Sequence, residues 1–272
     1  MGPNEEDCLK LAEFMMREYG INLTKKQHLI ISRLGSVISA GKYRDFHSYV
    51  EYITSGRASK SDLRIILNKL TTNHTYFMRE NTHFDFLTNT ILPELEKKNR
   101  EKKSISIWSA GCSSGQEPYT ISMLLFDYFG NQRNGWDLRV LATDISNHVM
   151  SIAKKATYTD DTMKDVPEEW KKKYMIHNGD SYTFVPEIRQ NVIFKEFNLM
   201  DAINFKIPFD VIFCRNVMIY FDNETKNALV NRFYDASNPG AYLLIGQSET
   251  LPKDETKYTY VSPATYRKAV NI

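Results

Sequence analysis

The sequence predicts an α/β protein in two parts: a small all-α N-terminal domain, then a doubly wound, mostly parallel sheet with an antiparallel C-terminal edge. Three observations predict it. Up to about residue 70 the apolar residues recur at helical spacing, with no strand run among them. After Lys103 short β-rich runs alternate with helical segments, the pattern of a parallel sheet with crossover helices. The last two β-rich runs have no helix between them, which makes them an antiparallel pair.

The first helix carries Leu9, Ala12, Phe14, Met15 and Met16 and ends near Gly20. Thr24 is placed to cap a second, carrying Leu29, Ile30, Leu34, Val37 and Ile38 and stopped by Gly41. Phe46, Tyr49, Val50 and Ile53 mark a third, up to Gly56. Ser59 or Ser61 caps a fourth with Leu63, Ile66, Leu67 and Leu70. Four short helices with brief connections form a small bundle over 1–70. A linker and connecting helix fill 71–103, and the sheet domain fills 104–272.

In the sheet domain, Ile105–Ala110, Leu138–Thr143, Val192–Phe197, Phe209–Cys214 and Ala241–Gly246 read as strands. The edge pair lies near Tyr258–Val261 and Thr265–Lys268. Helices are expected at about 117–129, within 147–175, and at about 223–237. Between about 174 and 190 a short β pattern turns at Asn178-Gly179-Asp180, residues that tolerate positive φ, and reads as a small β insertion.

Composition limits the function. The formal charge of +2, from 35 basic and 33 acidic residues, does not favour a protein that works by neutralising a nucleic-acid backbone. Cys8, Cys112 and Cys214 are too sparse for a disulfide scaffold or a cysteine zinc site, and the six histidines show no metal spacing, so no metal is expected. No run approaches a membrane span, and the acidic N-terminus, Met1 to Asp7, lacks the pattern of a signal peptide or a myristoylation site. The expectation is a cytoplasmic protein.

The first chemical signal is the loop after the first strand, Gly111-Cys112-Ser113-Ser114-Gly115-Gln116-Glu117-Pro118. Glycine there lets backbone N–H groups approach a ligand. Asp144, just beyond the second strand, is placed to accept hydrogen bonds from both hydroxyls of a ribose. Together they point to an adenosine-containing ligand and leave NAD and S-adenosylmethionine both open, with the antiparallel edge leaning to the latter.

Two longer stretches carry more. One is Leu70-Thr71-Thr72-Asn73-His74-Thr75-Tyr76-Phe77-Met78-Arg79-Glu80, followed by His83-Phe84. The other runs from Phe209 through Cys214-Arg215-Asn216-Val217-Met218-Ile219-Tyr220-Phe221. Both resemble the bacterial chemotaxis receptor methyltransferases, the CheR-type protein-glutamate O-methyltransferases. Gly115-Gln116-Glu117-Pro118-Tyr119, Ala142 to Ser146, Asn198-Leu199 and Gly246-Gln247-Ser248-Glu249 match in the same order. The resemblance spans nearly the whole chain.

The resemblance implies a Rossmann-like S-adenosylmethionine domain with an inserted β-subdomain. It also implies methyl transfer to a receptor glutamate, leaving S-adenosylhomocysteine. By position, Asn73, Thr75 and Arg79 would fold over the methionine end of the cofactor. Glu117 would meet its amine near Gly111, and Asp144 would hold the ribose. Asn198 and Leu199 would frame the adenine, and Arg215 and Asn216 would sit beside the cofactor. Tyr220 would face the methyl. Arg79 and Tyr220 are the catalytic candidates. A glutamate is already ionised at neutral pH, so the reaction needs orientation rather than a general base. The implied partner is the cytoplasmic helical region of methyl-accepting receptors, met by a monomer. Other readings are a cofactor-binding regulatory protein of the same fold, or a methyltransferase acting on a different protein. The second helix departs from the family: Lys25, Lys26 and Arg33 precede an uncharged Gly35–Ser39, and further basic residues follow at Lys42, Arg44, Arg57, Lys60 and Arg64.

Overall fold

The computed structural model describes residues 4–270; the side chains of Gly41 and Lys42 also lie outside the described residues. The N-terminal leader expectations at Met1–Pro3 and the docking expectation at Lys42 therefore fall outside it.

Four helices open the chain: α1 (Glu5–Tyr19), α2 (Gln27–Val37), α3 (Phe46–Thr54) and α4 (Lys60–Leu70). Asn4 caps α1, and Gly20 ends it in the left-handed conformation at φ 72°. Asp45 and Ser48 form a capping box on α3, and Ser59, not Ser61, caps α4. The expected Thr24 cap is not made. Helix α2 starts at Gln27 after an uncapped Lys26, because the Thr24 hydroxyl donates to Asn22 Oδ1 at 2.7 Å instead. Gly41 does not stop α2 cleanly either; the helix runs on through a π-turn at Ile38–Lys42. Leu11, Met15, Ile30, Leu34, Tyr49, Val50 and Ile66 close one apolar core.

The linker carries α5 (Thr82–Phe86) and α6 (Leu92–Lys98), joined by a π-turn at Leu87–Ile91. Phe84, Leu87, Ile91, Leu92 and Leu95 are buried in the core of the sheet, not of the bundle. This connecting helix is therefore one of the sheet's covering layers.

The sheet half continues with β1 (Ile107–Ala110), α7 (Gln116–Phe129), β2 (Val140–Asp144), α8 (Asn147–Lys155), β3 (Thr157–Thr159), α9 (Glu168–Tyr174), β4 (Met175–Asn178), β5 (Ser181–Phe184), α10 (Pro186–Gln190) and β6 (Val192–Glu196). It closes with β7 (Phe209–Cys214), α11 (Asn223–Asp235), β8 (Ser237–Ile245), β9 (Thr259–Ser262) and β10 (Thr265–Arg267). The strand order is β6-β2-β1-β7-β8-β10-β9. The first four pairings are parallel, and β10 runs antiparallel to both β8 and β9. Strand β7 shows why: all six residues are buried. Val211 and Phe213 face one core with the connecting helix and α7; Ile212 and Cys214 face the other with α11. A strand covered on both faces reads as an unbroken apolar run.

The insertion is larger than its turn signal. A third strand, β3, pairs antiparallel with β5 on the side away from β4. Its three residues, Thr157-Tyr158-Thr159, lie in a stretch that reads as helical from sequence. What fixes it is the insertion's contact with the sheet domain: Tyr158 and Phe184 pack on Phe77 of the linker and Tyr119 of α7.

Trp108 sits at the centre of the second core against Phe197, Phe205, Phe209 and Phe233, and its indole N–H donates to Thr143 Oγ1 at 2.9 Å. Trp108→Ala should cost about 3–5 kcal/mol. A urea titration followed by circular dichroism should show the loss as a clearly lowered midpoint.

Candidate functional site

The chain crosses from β1 to β2 and on to β6 on one side, then returns from β6 to β7 on the other side of β1, so the strand order reverses at β1 and β7. Ligands bind at such a switch point, beyond the carboxyl ends of the strands. A cavity opens there, with about 1070 Å³ of empty space counting its mouth. Asn73, Thr75, Arg79, Gly111, Glu117, Asp144, Asn198, Leu199, Arg215, Asn216 and Tyr220 all line it. Four different strand ends and the linker thus bring together every residue singled out by sequence.

Gly111 follows β1 at φ 83°, and a Cβ there would lie 2.4 Å from Val217 Cγ2, so only glycine fits. Ser113, also left-handed at φ 49°, donates its N–H to Asp144 Oδ2 at 2.8 Å and its hydroxyl to the Asn73 carbonyl at 3.0 Å. The glycine loop therefore fastens the linker to the end of β2. Ser146 N–H donates to Asp144 Oδ1 at 2.9 Å. Burial pushes the Asp144 carboxyl up, and these backbone donors oppose the push. The Ile145 backbone N–H donates to the same carboxylate, which keeps acceptor capacity for one incoming donor.

Glu117 lies on the first turn of α7 and accepts from Ser109 Oγ at 2.6 Å. Arg215, just past β7, places Nε 3.0 Å from Glu117 Oε2 and 3.8 Å from Glu80 Oε2. It also donates to the Arg79 carbonyl and lies 5.0 Å from the centre of the Phe84 ring. Burial pushes Glu117 up; Arg215 and Ser109 pull it down. His83, buried beside Arg215, is pushed down to about 4 by burial and that positive charge. It is neutral near pH 7.

Arg79 is half-buried at the cavity wall. Its guanidinium donates to the His74 carbonyl at 2.9 Å and lies over the Tyr76 ring. Tyr220 follows the β7 exit loop in a single 3-10 turn; its carbonyl accepts the Asn22 N–H at 2.9 Å, and Lys26 lies 5.3 Å from its ring centre. Asn198 is held by the helical half, donating to the Glu18 carbonyl at 2.8 Å. Cys112 and Cys214 are buried, and burial pushes both thiols well above their usual range. They are inert packing groups.

Residues 73–267 match the family described as CheR methyltransferase, SAM binding domain, and residues 6–71 match the CheR methyltransferase all-alpha domain. The chain belongs to the CheR methyltransferase family. It is 44% identical over 271 residues to a chemotaxis protein methyltransferase of Borreliella burgdorferi, covering 97% of this chain and 94% of that one. It is 34% identical over 245 residues to chemotaxis protein methyltransferase 1 of Pseudomonas aeruginosa, covering 88% of each. The chain is a chemotaxis protein methyltransferase that uses S-adenosylmethionine.

The cavity suits that cofactor. Glu117 offers an anion and Arg79 a cation, the two charges that a zwitterionic methionine end calls for, and the Asp144 carboxylate offers an acceptor to a hydroxyl. Ile145, Phe197 and Leu199 give an apolar wall for a base. The CheR cavity also uses residues not visible as a site in the sequence. Tyr19 and Ile21 reach it from the end of α1. They flank Gly20, where a Cβ would lie 2.8 Å from Met200 Sδ and 3.1 Å from Phe221. The helix-ending glycine was the only signal.

An ammonium-bearing ligand favours ionised Glu117. Because burial raises that carboxyl, cofactor affinity should fall as pH drops, beginning above the range of an ordinary glutamate. Glu117→Gln should weaken binding by roughly tenfold or more at pH 7 and flatten this dependence. Calorimetric titration with S-adenosylhomocysteine as the pH is lowered checks both.

Proposed function

We propose that this CheR enzyme methyl-esterifies glutamate side chains on the cytoplasmic helical region of chemotaxis receptors, acting in the cytoplasm as a monomer and serving adaptation. The observation that carries the reading is the joint placement of Arg79 and Tyr220. They reach one cavity from the linker and from the β7 exit loop, beside the carboxylates Glu117 and Asp144.

S-adenosylmethionine supplies an electrophilic methyl when bound. The chain's part is to bind, orient and exclude water. Glu117, Asp144 and the apolar wall hold the donor; Arg79 and Tyr220 present the acceptor. The buried carboxylates of the cavity are committed to Arg215, Ser109, Ser113 and Ser146, and the buried thiols are held protonated. This supports a nucleophile brought by the partner, already ionised, as a glutamate is. Arg79 already bonds the His74 carbonyl and its guanidinium is only half-buried. Such an arginine orients a carboxylate without sinking it into a tight ground-state pair, which leaves the transition state favoured.

The curated relatives named as chemotaxis methyltransferases support the receptor as partner. In the helical half Arg33 is already engaged: it donates to the Thr71 carbonyl at 2.9 Å and to Thr72 Oγ1 at 3.3 Å. It anchors the start of the linker, leaving α2 with little free charge for docking.

Incubation with methyl-labelled S-adenosylmethionine and cytoplasmic receptor fragments should put base-labile label on the fragments, released as methanol. Label on some other protein would overturn the receptor assignment; cofactor bound without transfer would favour a regulatory role. Arg79→Ala should cut transfer by roughly 100-fold with the fold intact. Near-normal turnover would remove Arg79 from the reaction.

A further inference from the structure

Besides Ser113, Met78 at φ 60°, Glu80 at φ 53° and Asn216 at φ 59° hold left-handed backbone around this site without being glycine. That conformation is unfavourable for side-chain-bearing residues and persists where surrounding bonds enforce it. Here two carboxylates supply those bonds. Glu249, buried at 4% exposure, follows β8; its Oε2 accepts the N–H of Asn216 at 3.0 Å and the N–H of Gly246. Gly246 has no room for a side chain: a Cβ would lie 2.6 Å from Asn216 Nδ2 and 2.8 Å from Glu249 Oε2. With its backbone so fixed, Asn216 turns its side-chain amide to Glu80 Oε1 at 3.0 Å. Glu80 Oε2 is buried with no hydrogen-bond partner, held 3.8 Å from Arg215 Nε. Arg215 in turn donates to the carbonyl of Arg79. The chain of contacts runs from the β8 exit through the β7 exit to the linker. Met78 and Glu80, the two neighbours of Arg79, both hold left-handed backbone.

We infer that Glu249 and Glu80 are positioning residues, coupled through Asn216, that set the β7 exit loop carrying Tyr220 and the linker carrying Arg79 as one unit. Neither touches the reacting atoms. A buried carboxylate that accepts two backbone N–H groups from different segments fixes their separation more sharply than apolar packing does. Coupling of this kind acts in both directions. Loosening the loop after β8 should loosen the linker, although Glu249 is bonded to no linker residue in this set of contacts.

The test is hydrogen–deuterium exchange on the full chain, with the activity arm resting on the proposed receptor reaction. Glu249→Gln keeps the side-chain volume and loses the charge. It should speed amide exchange in the linker segment 76–80 by about fivefold or more, as well as in 216–220. Glu80→Gln should speed exchange in 216–220 in the reverse sense, and it decides the matter alone if Glu249→Gln does not fold. The double variant should add little to either single one. With receptor fragments, each variant should lower kcat about tenfold, and for Glu249→Gln, which does not touch Arg215, the KM for S-adenosylmethionine should stay within about twofold. Change confined to the mutated segment, additive effects in the double variant, or an unchanged kcat would overturn the inference. If the parent enzyme labels no receptor fragment, the substrate reading fails by itself, and the exchange data still decide the coupling.

Discussion

The site rests on one buried charge. The Arg215 side chain, 2% exposed, lies between the carboxylates of Glu117 and Glu80. A guanidinium withdrawn from water is tolerated only where opposite charge and hydrogen-bond acceptors surround it, and removing one partner of such a pair costs about 3–5 kcal/mol. Satisfying Arg215 therefore dictates what must gather around it: the first turn of α7, the linker carbonyl of Arg79, and Phe84 and His83 of α5. They come from two parts of the chain, the linker and α7, and Arg79, Phe84 and Glu117 line the cofactor cavity. His83 stays neutral beside it, so the local balance is one cation against two anions before ligand binds. Arg79, at the wall of the same cavity, brings a second cation.

The linker is held from several sides. Phe77 is buried in the aromatic cluster shared by the β insertion and α7, two residues from Arg79. Arg33 ties its start to α2, and Ser113 ties Asn73 to the glycine loop. The helical half then closes the cavity from outside. Asn68 accepts the Ser146 hydroxyl at 2.7 Å, Arg64 pairs with Glu196 at 3.1 Å, and Gly20 seats against Met200 and Phe221. The exposed Arg64 pair adds little energy. The buried contact at Gly20 and the short bond to Ser146 fix the angle between the halves, and with it the shape of the cavity wall at Ile145, Phe197 and Leu199.

Much of this was legible from sequence where local physics decides. Strand β7 is an unbroken apolar run because both its faces are covered, and its bounds follow directly. Gly111 is visible because a glycine after a first strand has few other reasons. What was not legible depends on distant partners. Thr24 looks like a cap until Asn22 claims its hydroxyl. Thr157-Tyr158-Thr159 becomes a strand only because β5 lies alongside it and Phe77 receives Tyr158. Tyr19 and Ile21 look like ordinary bundle residues until Gly20 meets the sheet half. Glu249 sits in a recognisable Gly-Gln-Ser-Glu run, yet its function depends on Asn216 adopting positive φ, which sequence does not state. The cavity gathers all of the residues chosen from the motifs, while the groups that hold them in place come from elsewhere in the chain.

The pairing of Arg215, rather than its charge alone, assembles the cofactor cavity from the linker and the sheet. Arg215→Lys keeps the charge and loses the fork that reaches several partners at once. In a calorimetric titration of this variant with S-adenosylhomocysteine, affinity should be lower by about tenfold or more while the circular dichroism of the protein is unchanged. Affinity within about twofold of the parent chain would contradict it.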